Sequence, residues 1–358
     1  MAKSPSYDGD GLVNLMAEIE HRLSGQSSAS RLTHPNRIPD ASTYVLVLFD
    51  GLGVAQLSHE AASSLGRAMT AELDAPFPTT TSVSLATIAT GLPPSRHGQV
   101  AHLAWMPDLN QVVNTLKWVS VSGEPVVYDY SSVLPPLNLW ERLRSAGVEP
   151  ITVQPGDFAG SPLSRVLYRG ARFEPAWDVD DLIAATAQLA GTPNRFIFTY
   201  VPHVDFAGHV FGLGSDEFSD AMKTAVNVWE GIAAALPPSV ALLGTADHGL
   251  LEFSEDQKTL IRDQRYEALR FAGDTRGVHL WGDSSLMDEL AETTGGVLAN
   301  PLELIGPSPS SAARSRAGEA VLLASPNSVL LPRGFDKRLR CYHGGLDPAE
   351  VKIPLLVG

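Results

Sequence analysis

The chain has 358 residues, with 40 acidic and 26 basic side chains and a formal net charge of −14. Hydrophobic residues make up 44 %, enough for a sizeable core, which excludes a wholly disordered chain. The acid excess argues against stable nucleic-acid binding. No apolar run approaches the ~20 residues that span a bilayer, and no basic-then-apolar leader opens the chain. The one cysteine, Cys341, can form neither an internal disulfide nor a cysteine-built zinc site. These features lead us to expect a cytoplasmic protein without membrane association.

Residues 1–38 predict a helix near Leu12–Leu23 and a Ser-rich connector. Tyr44–Phe49 is a short, unbroken apolar run, the pattern of a strand buried on both faces. Further along, predicted helices (Asn138–Ala146, Val179–Ala190, Asp216–Leu236) alternate with predicted strands (Glu149–Val153, Phe196–Val201, Val240–Thr245), and Ile353–Val357 closes the series. The alternation predicts an α/β fold, a mostly parallel sheet sandwiched by helices. Residues 39–250 and 342–358 are expected to form this core, and residues 251–341 an inserted, smaller α+β cap with strands at Gly277–Trp281 and Ala320–Leu323. Two stretches fit the alternation poorly: 93–136, rich in proline and turn residues, and 250–341, the cap itself, whose Pro/Ser/Ala-rich link at 306–315 is read as a surface loop.

Polar clusters follow three predicted strands directly, where open α/β sheets collect ligands. Asp50 follows the first; His203, Asp205 and His209 follow Phe196–Val201; Asp247 and His248 follow Val240–Thr245. Asp205 and His209 stand one helical turn apart, so a helix presents both on one side. Adjacent Asp247 and His248 can serve one ion only in a turn, because neighbours on a strand point to opposite faces. With His343, these carboxylates and imidazoles suit zinc, manganese or iron. Each piece alone reads equally as a turn, a solvated helix face or a loop histidine. Their shared placement after strands favours a metal site.

Phe77-Pro78-Thr79-Thr80-Thr81-Ser82-Val83-Ser84 reads as a hydroxyl-rich helix start. Such a hydroxyl can cap the helix. It also stands beside free N–H groups and the positive dipole end, where phosphate is stabilised.

Taken in order, these motifs resemble the alkaline phosphatase superfamily, in its nucleotide pyrophosphatase/phosphodiesterase branch. The matching segments are Phe49-Asp50-Gly51, Phe77 to Thr81, Thr90 to Gly98, Asp205-Phe206-Ala207-Gly208-His209, Ala246 to Gly249 and His343-Gly344. The resemblance implies two divalent ions, zinc or manganese. One would be held by Asp50, Thr81, Asp247 and His248, the other by Asp205, His209 and His343. It implies Thr81, rather than Thr79 or Thr80, as a covalent nucleophile. Where many relatives have an asparagine three residues after the nucleophile, this chain has Ser84, a shorter group for a phosphoryl oxygen. His97 is expected to be structural, and His203 to lie outside the ligand set.

The resulting expectation is a two-metal phosphodiesterase acting on a small nucleotide, similar to cytosolic bacterial enzymes of this superfamily that cleave c-di-AMP. Trp105, Trp118, Tyr128, Tyr130 and Phe158 offer aromatic faces for a base. The competing expectations are a phosphonoacetate hydrolase-like or phosphomonoesterase enzyme, and a metal-binding sensor without turnover. A homodimer is left open.

Overall fold

The computed structural model describes residues 4–358. Its main sheet has seven strands, in the order Met69–Asp74, Lys352–Val357, Val240–Thr245, Thr43–Phe49, Arg195–Val201, Glu149–Pro155 and Arg172–Ala176. Thr43–Phe49 is the middle strand and is buried along its whole length. It pairs in parallel with Arg195–Val201, Tyr44 opposite Phe196, and with Val240–Thr245, Tyr44 opposite Ala241. A strand covered on both faces has no polar side to show, hence its unbroken apolar run. Helices Leu12–Ser24, Thr81–Thr90 and Leu139–Ser145 pack on one another, as do Val179–Ala190 and Asp216–Ala235. Their starts follow capping chemistry. Asn138 and Glu141 cap reciprocally, and Asp178 and Ser215 accept from the N–H groups of Asp181 and Phe218. The α/β sandwich is therefore as expected, and no described helix is long and apolar enough to cross a membrane.

Lys352–Val357 departs from the parallel pattern, running antiparallel to both neighbours. The chain returns to it from the cap and enters it directly from the one-turn helix Pro348–Val351. The N-terminal segment is not a separate unit either. Leu12, Leu15, Met16 and Ile19 are buried in the main core, and Glu20 pairs with Arg142 at 2.6 Å.

The cap boundaries also need correction. A second seven-stranded sheet runs Val297–Ala299, Ala320–Leu323, Gly277–Trp281, Arg270–Asp274, Leu103–Met106, Gln111–Asn114, Val119–Ser120. Its last three strands come from 93–136, outside the expected insertion. Strands of two to four residues between prolines and turns carry no readable period. The 306–315 segment is docked rather than loose: Ser95 N donates to Ile305 O at 2.9 Å and Ser310 N to Ser95 O at 2.8 Å. Phe77, Val100, Ile305, Ala313, Leu346 and Val351 share one small apolar cluster, joining cap to core.

Candidate active site

Each of the three central parallel strands ends in a segment that carries an aspartate. Asp50 directly follows Thr43–Phe49, and Asp247-His248 lie in the turn after Val240–Thr245. Asp205 and His209 sit on the helix His203–Phe211, just past Arg195–Val201. The Asp205 N–H donates to the Asp50 carbonyl at 3.0 Å. That closeness requires Gly51, which has φ +75°; a Cβ there would meet Asp205 Cα at 2.9 Å. His343 arrives from the far end of the cap, after the Cys341–Tyr342 strand, which pairs with Leu251–Glu252.

These residues form two groups, Asp50/Asp247/His248 and Asp205/His209/His343, in each of which one ligand atom per residue lies within 4.8 Å of the others. The rings of His248 and His343 stack at 3.7 Å, so the groups share a wall. All three imidazoles are oriented the same way. Nδ1 of His209 meets the Cys341 carbonyl at 2.7 Å, Nδ1 of His343 the Thr79 carbonyl at 2.8 Å and Nδ1 of His248 the Gly249 carbonyl at 3.2 Å. A carbonyl only accepts, so each Nδ1 carries a proton, and Nε2 is the ring atom turned to the carboxylates.

Those Nε2 atoms face carboxylates. His209 Nε2 is 3.2 Å from Asp205 Oδ1, and His248 Nε2 is 3.2 Å from Asp247 Oδ2 and 3.7 Å from Asp50 Oδ1. These three carboxylate oxygens are buried and have no hydrogen-bond partner in the protein. The other oxygens are supplied: Asp247 Oδ1 accepts from the N–H groups of Gly51 and His248, and Asp50 Oδ2 from the Tyr200 hydroxyl. Acceptors in contact with acceptors repel unless a cation stands between them. The donor set therefore fits divalent cations of the kind that mixed imidazole and carboxylate ligands hold. Electrostatics agree. Burial, with Asp247 and Asp205 adding, holds the Asp50 carboxyl well above its ordinary value. Burial, with His248 and His209 adding, keeps His343 well below its own, hence neutral.

Thr81 opens the helix Thr81–Thr90, all ten residues of which are buried. Its Oγ1 lies 3.2 Å from His248 Nε2. Thr80 occupies the N-cap position, but its side chain makes no capping bond, so the hydroxyl-cap reading does not hold. Thr79 instead braces the His343 loop, accepting from Gly344 N at 3.0 Å and donating to the Gly345 carbonyl at 3.1 Å.

Other expected positions fall elsewhere. Ser84 is fully buried and donates to the Asp247 carbonyl at 2.7 Å, so its hydroxyl is taken up behind the site rather than turned to a phosphoryl group. Trp105 lies on the cap sheet with the Arg270 guanidinium 3.7 Å over its ring. Tyr128 and Tyr130 pack on Trp118 at 5.5 and 5.1 Å and border a surface cleft of about 680 Å³ with Arg165 and Arg169. Among the described residues no hydrogen bond or ring contact joins Trp105, Tyr128 or Tyr130 to either Asp/His group. Phe158 alone stays near, 6.1 Å from the ring of Tyr200. His97 is buried between Thr87 Oγ1 and the Gln99 N–H, a packing role. His203 belongs to neither group.

Two residues at this end of the cap escaped the sequence reading. His102 is half-buried; packing, with His209 and Lys117 adding, lowers it to about 4. Its N–H donates to Asp274 Oδ2 at 3.2 Å, and Asn114 Nδ2 lies 3.2 Å from its Nε2. Burial pushes the Asp274 carboxyl up to about 7. A Cβ on Gly344 would meet Asp274 Cβ at 2.4 Å, so this carboxyl abuts the His343 loop. For His102 the only sequence signal was the lack of period in 93–136.

Sheet and site together define an α/β enzyme with two carboxylate–histidine groups at its carboxyl edge. Residues 44–289, more than half the chain, match the model of the type I phosphodiesterase / nucleotide pyrophosphatase family. The chain belongs to that family, hydrolases acting on phosphodiester or pyrophosphate bonds. No curated protein sequence matches it. Among solved structures it is similar to murine ectonucleotide pyrophosphatase / phosphodiesterase 5, with 19 % identity, 87 % of each chain covered and a TM-score of 0.67. It is also similar to phosphonoacetate hydrolase from Sinorhizobium meliloti, with 18 % identity, 89 % of this chain and 91 % of that one covered, and a TM-score of 0.64. At such identities the likeness shows the fold alone.

Proposed function

We propose that the protein is a two-cation phosphodiesterase that hydrolyses nucleotide diesters through a covalent threonyl phosphate on Thr81, with a cyclic or linear dinucleotide such as c-di-AMP preferred. The observation that carries this reading is the convergence of three unpartnered carboxylate oxygens, three imidazole nitrogens and one hydroxyl at a helix start. Zinc or manganese ions, one with Asp50, Asp247, His248 and Thr81 and one with Asp205, His209 and His343, would neutralise phosphoryl charge and lower the pKa of a bound hydroxyl.

The chain's own groups do the rest. Thr81 Oγ1 forms the new bond to phosphorus while the bond to the leaving alkoxide breaks on the opposite side; water then cleaves the threonyl ester and releases a 5′-nucleotide. The first N–H groups of Thr81–Thr90, free of a side-chain cap, receive a phosphoryl oxygen. His102 takes the role first expected of Ser84, presenting a polar edge from the cap. Asp274 beside it disfavours a second negative charge, which supports diesters over monoesters. A murine relative with a threonine-to-alanine change is inactive and was solved in complex with AMP, supporting a threonine nucleophile and a nucleotide here. The single, buried Cys341 supports a cytoplasmic site of action.

The test compares kcat/KM for bis-p-nitrophenyl phosphate, p-nitrophenyl phosphate, c-di-AMP, its linear product and phosphonoacetate. Faster monoester or phosphonate turnover refutes the diesterase reading. Diester turnover without c-di-AMP cleavage removes only that substrate.

A further inference from the structure

Arg276 and Glu350 form a buried ion pair between cap and core, their side chains 3 % and 0 % exposed. Arg276 stands in the cap hairpin between Arg270–Asp274 and Gly277–Trp281; Glu350 lies on the helix Pro348–Val351. Nε and Nη2 of Arg276 donate to Glu350 Oε2 at 3.2 and 3.0 Å, and Nη1 donates to the carbonyls of Ser325 and Ser328 at 2.8 and 2.6 Å. The remaining acceptors of Glu350 serve the two histidine loops. Oε1 accepts from Gly345 N at 2.9 Å, two residues past His343, and its carbonyl accepts from Gly249 N at 2.9 Å, next to His248. Both glycines are needed for this closeness. A Cβ on Gly345 would meet Glu350 Oε2 at 2.9 Å and Arg276 Cβ at 3.0 Å, and one on Gly249 would meet the Ala349 carbonyl at 2.0 Å.

We propose that Arg276 and Glu350 are positioning residues for the cation site: the ion pair fixes the Glu350 carboxylate on the Gly345 N–H and anchors the short helix whose carbonyl meets the Gly249 N–H, holding the His343 and His248 imidazoles in register and making the cap a fixed part of the site rather than a lid. The inference rests on the two-cation reading. A stability role alone does not explain the arrangement, because apolar residues of similar volume often replace a buried ion pair at no cost. What apolar residues cannot supply is a fixed carboxylate oxygen for the Gly345 N–H. Groups that orient metal ligands in this way typically change metal affinity 10–100-fold when altered.

The experiment titrates Mn²⁺ into the chelator-stripped full-length protein by calorimetry, for wild type, Glu350→Gln, Arg276→Lys and Arg276→Met, with circular dichroism to check folding. The expected result is a 10–100-fold loss of Mn²⁺ affinity in Glu350→Gln and Arg276→Met, with partial recovery in Arg276→Lys. If Arg276→Met does not fold, the two milder variants carry the test. Folded variants that bind both ions within twofold of wild type overturn the proposal, even if they melt earlier. A wild type that binds no divalent cation overturns it together with the two-cation reading.

Discussion

Replacing Asp205 with asparagine tests the site through a change of sign. Without divalent cations, Asp205 Oδ1 faces Nε2 of His209 at 3.2 Å and receives no donor. Where His209 Nε2 carries no proton, an asparagine amide placed there donates to it, replacing a repulsive contact with a hydrogen bond worth about 0.5–1.5 kcal/mol. It also removes one of the carboxylates crowding Asp50. Cation-free Asp205→Asn should therefore melt ~1–2 °C above cation-free wild type, at ~1.3 °C per kcal/mol for a chain of 358 residues. With cation the order inverts. A site filled at about 100 times its Kd stabilises the fold by ~2.7 kcal/mol. Two sites give the wild type ~5 kcal/mol, roughly 7 °C. The variant keeps only the Asp50–Asp247–His248 increment, about half that rise. Scanning calorimetry of both proteins, in chelator and in Mn²⁺, reads all four values. The reasoning fails if cation leaves the wild-type melting temperature unmoved, or if the variant loses equal stability in both conditions.

Thr81→Ala should keep fold and cation binding but lose several orders of magnitude in kcat, while Thr81→Ser retains some turnover; normal activity in Thr81→Ala would exclude it as nucleophile. Ser84→Ala should cost about 1 kcal/mol of stability, the worth of one buried hydrogen bond, with little change in KM. His102→Ala should instead raise KM for diesters, and the opposite outcome would return the phosphoryl contact to Ser84. Burial keeps His97 neutral down to about 3 and His279 to about 4. Both titrate near 6.5 when unfolded, so their contribution is complete above ~6.5 and is lost as pH falls toward ~4. Each such proton taken up on unfolding adds a slope approaching ~1.4 kcal/mol per pH unit, and His279→Gln should remove one such increment in urea titrations between these limits.

The sequence disclosed most about elements whose burial is uniform. Thr43–Phe49, Arg195–Val201 and Val240–Thr245 were readable within a residue because a strand covered on both faces must be apolar throughout. The placement of Asp50, Asp205 and Asp247 followed from that, since each comes directly after such a strand. His343 could be ordered in the chain but not located, because its position depends on where the cap returns. The strands at 103–120 stayed hidden because each is only two to four residues long, too short to show a period; they pair mainly with one another, and only Leu103 reaches a distant strand, at Gly273. His102 was missed for the same reason. Ser84, Trp105, Tyr128 and Tyr130 were judged by residue type, and residue type does not tell whether a hydroxyl or ring is already engaged by a neighbour.

The antiparallel insertion of Lys352–Val357 bears on how the protein is made. Met69–Asp74 has that strand as its sheet partner, and the two are separated by most of the chain. During synthesis Met69–Asp74 therefore leaves the ribosome long before anything can pair with it, and the Val240–Thr245 flank stays an open edge. Such long-range closure is slow, and an unpaired edge invites association with other chains. Asp50, Asp205 and Asp247 are all translated before His343, which comes just ahead of the closing strand. His343, the last member of the site in chain order, therefore becomes available only when the closing strand is about to be made.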